Sequence, residues 1–144
     1  MKLPPDQLIS EIFQKVSSAK TREEKITILK HYDHPALRAL LIWNFDSRVE
    51  SALPEGDVPY KANDAPIGTE HSRLIHEWRK FNHFVKGVTN TAQTKRETMF
   101  IQLLEALHES EAELVCAVKD KQLHKKYRIT RPVVEEAFPD IVWG

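Results

Sequence analysis

Cysteine, glycine and long apolar runs are all scarce in this 144-residue chain. The single cysteine, Cys116, cannot form an internal disulfide bond, and its position within an apolar helical pattern predicts a buried, unreactive thiol in a reducing compartment. No apolar run approaches the roughly 18 residues that a membrane span needs, and the first residues lack the apolar core of a signal peptide. The sequence therefore predicts a soluble, cytoplasmic protein that does not bind membranes.

An excess of charge of either sign is also absent. Lysine plus arginine and aspartate plus glutamate number 21 each, so the formal net charge is zero. Such a molecule exerts no long-range attraction on DNA or on an anionic membrane, and any nucleic-acid binding needs a local concentration of basic residues. Charged residues make up 29% and apolar residues 41% of the chain, which is typical of a globular domain rather than a disordered one.

The motifs of common catalytic sites are missing as well. The chain has no Gly-x-Ser-x-Gly elbow, no phosphate-binding Gly-Lys-Ser/Thr loop and no Gly-x-Gly-x-x-Gly fingerprint. His31 and His34 flank Asp33, and His76 and His83 share one face of a predicted helix, but each pair leaves a metal ion short of protein donors. We therefore expect a non-enzymatic protein without a cofactor or a metal ion.

Helical patterns dominate what is present. The clearest pattern is a helical hairpin between residues 97 and 121, with Ser/Thr-x-x-Glu capping patterns at Thr94 and Ser110 that predict its two helix starts. Apolar residues recur at spacings of three and four in both helices, and the short link between the helices makes them antiparallel neighbours. The apolar residues of the hairpin are Phe100, Leu103, Leu104, Leu107, Leu114, Val115 and Val118.

Similar patterns predict further helices, and no segment alternates in the way of a β-strand. The prediction is an all-α fold in which residues 1–144 form one compact domain of about six or seven helices, packed around the hairpin. The other predicted helices span residues 6–18, 21–32, 33–46, 69–87 and 130–138.

A proline-rich segment from residue 54 to residue 68, which we call the strap, interrupts the helical patterns. A connection of this length without periodicity is uncommon in a compact domain and is often functional. One interpretation is structural: the strap lies across the core and is anchored by Val58, Tyr60 and Ile67. In the other interpretation the strap binds a partner protein. The residues for that contact would be Pro59, Tyr60, Lys61 and Asp64.

Charges of one sign cluster in the second half of the chain. The charged residues are all acidic from Glu97 to Glu113 and nearly all basic from Lys119 to Arg131. The basic run leads into the predicted start of the last helix, where backbone amides and a hydroxyl group favour a phosphate. We call this run the basic edge; its residues either contact DNA phosphates or form a solvated connector whose lysines pair with the glutamates. The candidate DNA contacts are Lys119, Lys121, Lys125, Lys126, Arg128, Thr130 and Arg131.

Two stretches resemble a known DNA-binding domain. Residues 25–38, Lys-Ile-Thr-Ile-Leu-Lys-His-Tyr-Asp-His-Pro-Ala-Leu-Arg, resemble the opening of the N-terminal all-helical DNA-binding domain of tailed-phage ATP-dependent DNA ligases. Residues 129–139, Ile-Thr-Arg-Pro-Val-Val-Glu-Glu-Ala-Phe-Pro, are similar to the closing helix of that domain, which also ends in an aromatic-proline pair. The whole chain is similar to small proteins of tailed phages, notably those that infect cyanobacteria.

The resemblance implies a non-enzymatic phage accessory protein that binds duplex DNA in the cytoplasm of the host cell, through the basic edge and without strong sequence specificity. The chain departs from the ligases in two ways. The Lys-x-Asp-Gly adenylation motif is absent, which excludes ligase activity for this chain alone, and residues 125–128 replace a glycine-containing turn before the closing helix. The alternative function is a protein–protein interaction module, a host-takeover or regulatory adaptor that keeps the fold but does not bind DNA.

Overall fold

Helices make up most of the computed structural model, which describes residues 8–63 and 72–144. Within those two ranges the chain forms eight α-helices and one 3-10 helix, and strand-like pairing is limited to two isolated bridges. The predicted all-α fold is confirmed. The elements are α1 (Ile9–Ser18), α2 (Arg22–His31), α3 (Pro35–Phe45), α4 (Leu74–Glu77), the 3-10 helix (Trp78–His83), α5 (Gln93–Ala106), α6 (Glu109–Lys119), α7 (Leu123–Lys126) and α8 (Arg131–Ala137).

Helix α6 lies at the centre of the core because it packs against α1, α3, α5 and α7. Its residues Ala112, Leu114, Val115 and Val118 are buried, and so is Glu111. The two oxygens of its carboxylate accept the backbone N–H groups of Ile9 and Leu74, each at 3.0 Å. Glu111 therefore satisfies amides at the starts of α1 and α4 that have no partner within their own helices. The predicted α5–α6 hairpin is confirmed as part of the core.

The two capping patterns predicted for the hairpin do not mark its helix starts. Helix α5 begins at Gln93, so Thr94 lies inside the helix. Helix α6 begins at Glu109 because the Nδ1 atom of His108 accepts the N–H of Ser110 at 3.1 Å. A neutral imidazole thus provides the cap that the sequence pattern assigned to the Ser110 hydroxyl.

The helix predicted for residues 69–87 is replaced by the short α4 and the 3-10 helix, and its predicted cap, Thr69, lies outside the described residues. Trp78, Phe81 and Phe84 follow one another at intervals of three, which matches the three residues per turn of a 3-10 helix. The ring centroids of Phe81 and Trp43 are 5.3 Å apart, and those of Phe84 and Phe100 are 5.1 Å apart. Aromatic packing against α3 and α5 therefore favours the tighter winding.

Helices α2 and α8 form the most extensive helix pair in the described chain. Arg38 of α3 links the segments that follow these two helices: its guanidinium donates to Asp33 at 2.6 Å and to Asp140 at 2.7 Å, and it lies 4.8 Å from the ring centre of Phe138. The hydrogen bonds from Arg38 lower the pKa of the Asp33 carboxyl. The two stretches that resemble the ligase domain are thus brought into contact.

The described part of the strap crosses α5 and contains no helix, as predicted. Val58 and Tyr60 are partly buried against the core, which agrees with their predicted role as anchors. The third predicted anchor, Ile67, lies outside the described residues.

The predictions made from the single cysteine and from the lack of long apolar runs can be compared with the fold. Cys116 of α6 is partly buried, and burial raises the pKa of its thiol to about 11. The thiol is therefore protonated near neutral pH, as expected for an unreactive cysteine. Among the helices of the described ranges, none combines the length and the apolar character needed to cross a bilayer.

Candidate nucleic-acid interface

A cleft of about 600 Å³ opens between the α1–α2 corner and the segment that leads into α8. Four basic side chains line it: Lys20, Arg22, Lys25 and Arg128. No carboxylate is among the described residues of its lining, so the cleft is favourable for an anion. We call it the basic cleft. Its other lining residues are Ser17, Ser18, Ala19, Thr21, Thr130 and Val133.

The α1–α2 corner positions one wall of the basic cleft. Only three residues separate α1 from α2, and the last of them, Thr21, accepts the N–H of Glu24 on its hydroxyl oxygen at 3.2 Å. This cap fixes the start of α2. Lys20 and Arg22 lie on either side of Thr21, so the short corner carries two cations next to the positive end of the α2 dipole.

The segment before α8 forms the opposite wall. The backbone N–H of Arg128 donates to the Ser17 hydroxyl at 3.1 Å, and its carbonyl oxygen accepts a hydrogen bond from the Lys25 ammonium. These bonds attach the backbone of Arg128 to α1 and α2 and leave its side chain exposed. Within the described ranges the guanidinium of Arg128 makes no hydrogen bond and no ion pair, and the same is true of the ammonium of Lys20.

One carboxylate, Glu136 of α8, lies next to the cleft. Its Oε2 atom accepts two hydrogen bonds from the Arg22 guanidinium, at 2.7 and 2.9 Å. Both side chains are about half exposed, at 52% and 56%. Exposed pairs of this kind are weak, so a phosphate can compete for Arg22.

The predicted basic edge is only partly exposed. Arg128 and Thr130 line the basic cleft, and Lys125 and Lys126 of α7 are exposed just before them in the chain. The Lys126 ammonium lies 3.1 Å from the carboxylate of Glu113, as the alternative of a solvated, paired connector anticipates. Lys125 has no such partner in the part of the chain that the structure describes.

Lys119 does not lie on an exposed edge, contrary to the prediction. Its side chain is completely buried, and its ammonium donates to the carbonyl oxygens of Pro54 at 2.7 Å and Gly56 at 3.1 Å. It also pairs with Asp120 at 2.6 Å. Lys119 therefore holds the strap against α6, and no phosphate can reach it in this structure.

Lys121 and Arg131 are likewise engaged by the protein. The Lys121 ammonium donates to the carbonyl oxygen of Asp46 at 2.7 Å, and burial lowers the pKa of Lys121. The Arg131 guanidinium donates to the carbonyl oxygen of Phe45 at 3.0 Å and pairs with Glu135. Both side chains bond to the end of α3 and are only partly exposed, at 37% for Arg131, and their assignment as DNA contacts stays a prediction.

The candidate protein-binding residues of the strap lie in mixed environments. Pro59 and Lys61 are exposed, and the backbone N–H of Lys61 donates to Glu105 at 2.8 Å. Tyr60 is partly buried, and burial, together with nearby groups that include Glu113, raises the pKa of its phenol. Asp64 lies outside the described residues.

Lys20, Arg22 and Lys25 were not predicted from the sequence, because basic residues were sought only as neighbours in the sequence. These three residues meet Arg128 only in the folded chain. A usable signal was present. Residues 25–38 and 129–139 resemble opposite ends of one domain, and segments from one compact domain can meet in space. In this structure Lys25 opens the first stretch and bonds to the residue just before the second.

The histidines that suggested metal spacing have local roles. His34 caps α3, with its Nδ1 atom accepting the N–H of Ala36 at 3.0 Å, and His83 bonds to the hydroxyl of Thr91 at 2.8 Å. Among the described residues no group of three or more potential ligands could hold a metal ion.

A family model matches residues 12–125, which is most of the chain. The chain belongs to DUF6433, a family of unknown function. The DUF6433 match includes the α1–α2 wall of the basic cleft and the described strap, and it ends before Arg128 and α8. No curated protein and no solved structure matches the chain. Its phage origin and its likeness to the ligase domain stay predictions from the sequence.

Proposed function

We propose that this protein binds duplex DNA through phosphate contacts in the basic cleft and along α7, without strong sequence specificity. The observation that carries the proposal is the convergence of Lys20, Arg22, Lys25 and Arg128 from distant parts of the chain. Lysine and arginine are the usual partners of DNA phosphates, and each phosphate they neutralise releases condensed counterions. A concentrated group of cations can therefore bind DNA even though the whole molecule is neutral.

The lining of the cleft favours contact with the DNA backbone over reading of bases. Bases are commonly read by bidentate side chains such as asparagine and glutamine, together with arginine, on an element that enters a groove. No asparagine or glutamine is among the described lining residues, which offer hydroxyl groups and cations instead. Hydroxyl groups and cations fix the position of a duplex without distinguishing its sequence.

A salt-dependent titration tests the proposal. A fluorescently labelled duplex is titrated with the full chain at several salt concentrations, and anisotropy reports binding. We expect affinity to fall linearly on a logarithmic salt scale, with a slope that corresponds to about three or four phosphates. Two duplexes of unrelated sequence should give the same affinity within about threefold.

The triple variant Lys20→Gln, Lys25→Gln, Arg128→Gln tests whether DNA binds in the basic cleft. We expect it to lose affinity by at least about tenfold and to flatten the salt slope by about one for each contact removed. The matched control, Arg79→Gln, Lys86→Gln, Lys95→Gln, removes the same charge from exposed positions outside the cleft. Equal losses in both triples, or a flat titration of the unmodified chain at low salt, would refute the proposal.

A further inference from the structure

A second cavity, of about 110 Å³, lies between the strap and α5. Its walls are mainly apolar, and two carboxylates, Asp57 of the strap and Glu97 of α5, complete them. We call this cavity the strap pocket. Its apolar side chains are Leu53, which precedes the strap, Pro54, Val58 and Pro59 from the strap, and Phe100 and Ile101 from α5.

Hydrogen bonds hold the strap at both ends of the pocket, and between these ends its backbone makes none within the described residues. At one end the Lys119 ammonium holds the carbonyl oxygens of Pro54 and Gly56. At the other end Glu105 accepts the N–H of Lys61 on its carboxylate and the amide of Asn63 on its backbone carbonyl. From residue 57 to residue 60 the backbone makes no hydrogen bond within the described ranges. The rim of the pocket thus offers backbone donors and acceptors, held in place on either side.

The charge of the pocket selects a cationic partner. Asp57 has no ion pair or hydrogen bond in the described part of the chain, and Glu97 accepts only the side-chain amide of Gln93, at 2.8 Å. Two further carboxylates, Glu55 and Glu105, lie on the flanking strap and helix. No cation is among the described lining residues, so an acidic or phosphate-bearing ligand would be repelled.

We propose that the strap pocket binds an extended basic peptide of a partner protein, with one aliphatic side chain in the cavity. The volume fits this occupant, because a cavity of roughly 150 Å³ accepts benzene and a somewhat smaller one suits a single aliphatic side chain. Lysine or arginine residues flanking the aliphatic residue pair with Asp57 and Glu97. The peptide backbone pairs with strap residues 57–60, a mode in which main-chain bonds provide affinity and a side-chain pocket provides specificity. This partner is of a different class from DNA, and the inference does not depend on the basic cleft.

Synthetic peptides test the proposal on the full ¹⁵N-labelled chain. We expect the peptide Gly-Arg-Leu-Lys-Gly to cause saturable NMR shift changes at the backbone amides of residues 57, 58 and 60 and of residues 97–101; Pro59 has no amide hydrogen to observe. The peptides Gly-Glu-Leu-Glu-Gly and Gly-Arg-Asp-Lys-Gly, which change only the flanking charge or only the central side chain, should cause none. Absence of saturable changes with the first peptide, changes that map elsewhere, or equal binding of all three would overturn the proposal.

A charge-neutralised variant adds a test on the protein side. We expect Asp57→Asn with Glu97→Gln to weaken binding of the basic peptide about fivefold to tenfold, as two exposed ion pairs allow. The control, Glu23→Gln with Glu135→Gln, removes the same charge from exposed positions on α2 and α8 that do not line the pocket and should leave affinity within about twofold. An unchanged affinity in the first variant, or equal losses in both, would contradict the assignment, and neither result bears on DNA binding.

Discussion

The basic cleft and the strap pocket use the same kinds of side chain in opposite ways. Three of the four cations in the cleft, Lys20, Arg22 and Arg128, are exposed, and Lys20 and Arg128 lack a partner within the described residues. At the strap, the cation Lys119 is buried, and the carboxylate of Asp57 is exposed and has no partner among the residues that the structure describes. The comparison shows that a basic run along the sequence does not mark a basic surface, because packing decides which charges remain available to a ligand.

The difference between Lys119 and Lys125 has a simple chemical cause. Carbonyl groups of an irregular segment need hydrogen-bond donors when the segment covers a core. Lys119, at the end of α6, lies beneath the carbonyl groups of Pro54 and Gly56 and satisfies them. Lys125 faces solvent, so its ammonium remains hydrated.

The largest effect is expected for Lys119→Met. The substitution keeps much of the side-chain volume but leaves two carbonyl groups and Asp120 without their shared cation. Removing one partner of a buried ion pair costs about 3 to 5 kcal/mol, and the partial exposure of Asp120 brings the expected loss of unfolding free energy to about 2 to 4 kcal/mol. Urea denaturation followed by circular dichroism measures it.

Lys125→Met provides the matched control for this loss. It makes the same chemical change at an exposed lysine and should alter the unfolding free energy by less than about 0.5 kcal/mol. If the two variants proved equally stable, Lys119 would not hold the strap, and the contrast between the two surfaces would disappear.

Much of the fold could be predicted from the sequence, because helix formation and burial leave local patterns. The spacing of Leu114, Val115 and Val118 gave the centre of the core, and Thr130 followed by Arg131-Pro132 gave the start of α8. The helix starts near Thr94 and Ser110 were wrong because the capping pattern is common and His108 supplied the cap instead. The winding change at Trp78 depends on aromatic contacts with α3 and α5, which local periodicity does not report.

The candidate sites depend on contacts between distant residues and were harder to predict. Arg128 and Thr130 were correctly placed among residues open to solvent, whereas Lys119, Lys121 and Arg131 bond to backbone carbonyl groups 65, 75 and 86 positions away. No local signal distinguishes a lysine that will meet a carbonyl group from one that will meet water.

Acid should destabilise the junction of α2 and α3, where His34 caps α3, before it destabilises the strap. Burial lowers the pKa of His34, with a further contribution from the nearby His76, and the neutral ring caps α3. A folded pKa below the unfolded value of about 6.5 means that the unfolded chain binds more protons in the interval between the two values. The unfolding free energy therefore falls as the pH decreases through about 6.5 towards the folded pKa of His34.

The variant His34→Asn separates this cap from the other histidines. Asparagine keeps an acceptor for the N–H of Ala36 and does not titrate, so the variant should lose less stability than the unmodified chain between about pH 7.5 and about pH 5.5. Hydrogen exchange should show the additional loss at α2 and α3 and not at α5. Identical pH profiles for the two proteins would show that protonation of His34 does not lower the stability of α2 and α3.

The smallest expected effect concerns Glu136, the carboxylate that pairs with Arg22 of the cleft. Glu136 occupies Arg22 and places a negative charge near the proposed phosphates, so Glu136→Gln should strengthen DNA binding about twofold to threefold at low salt, within the range set by an exposed ion pair. The gain should disappear at high salt, because screening removes interactions between exposed charges.

Glu135→Gln is the matched control: it makes the same change on the same helix but releases Arg131, which bonds to Phe45 and lies outside the cleft lining. A gain in the first variant alone would assign the effect to Arg22. Equal gains would reflect total charge only, and a loss of affinity would mean that Glu136 orients Arg22 towards the phosphate rather than competing with it.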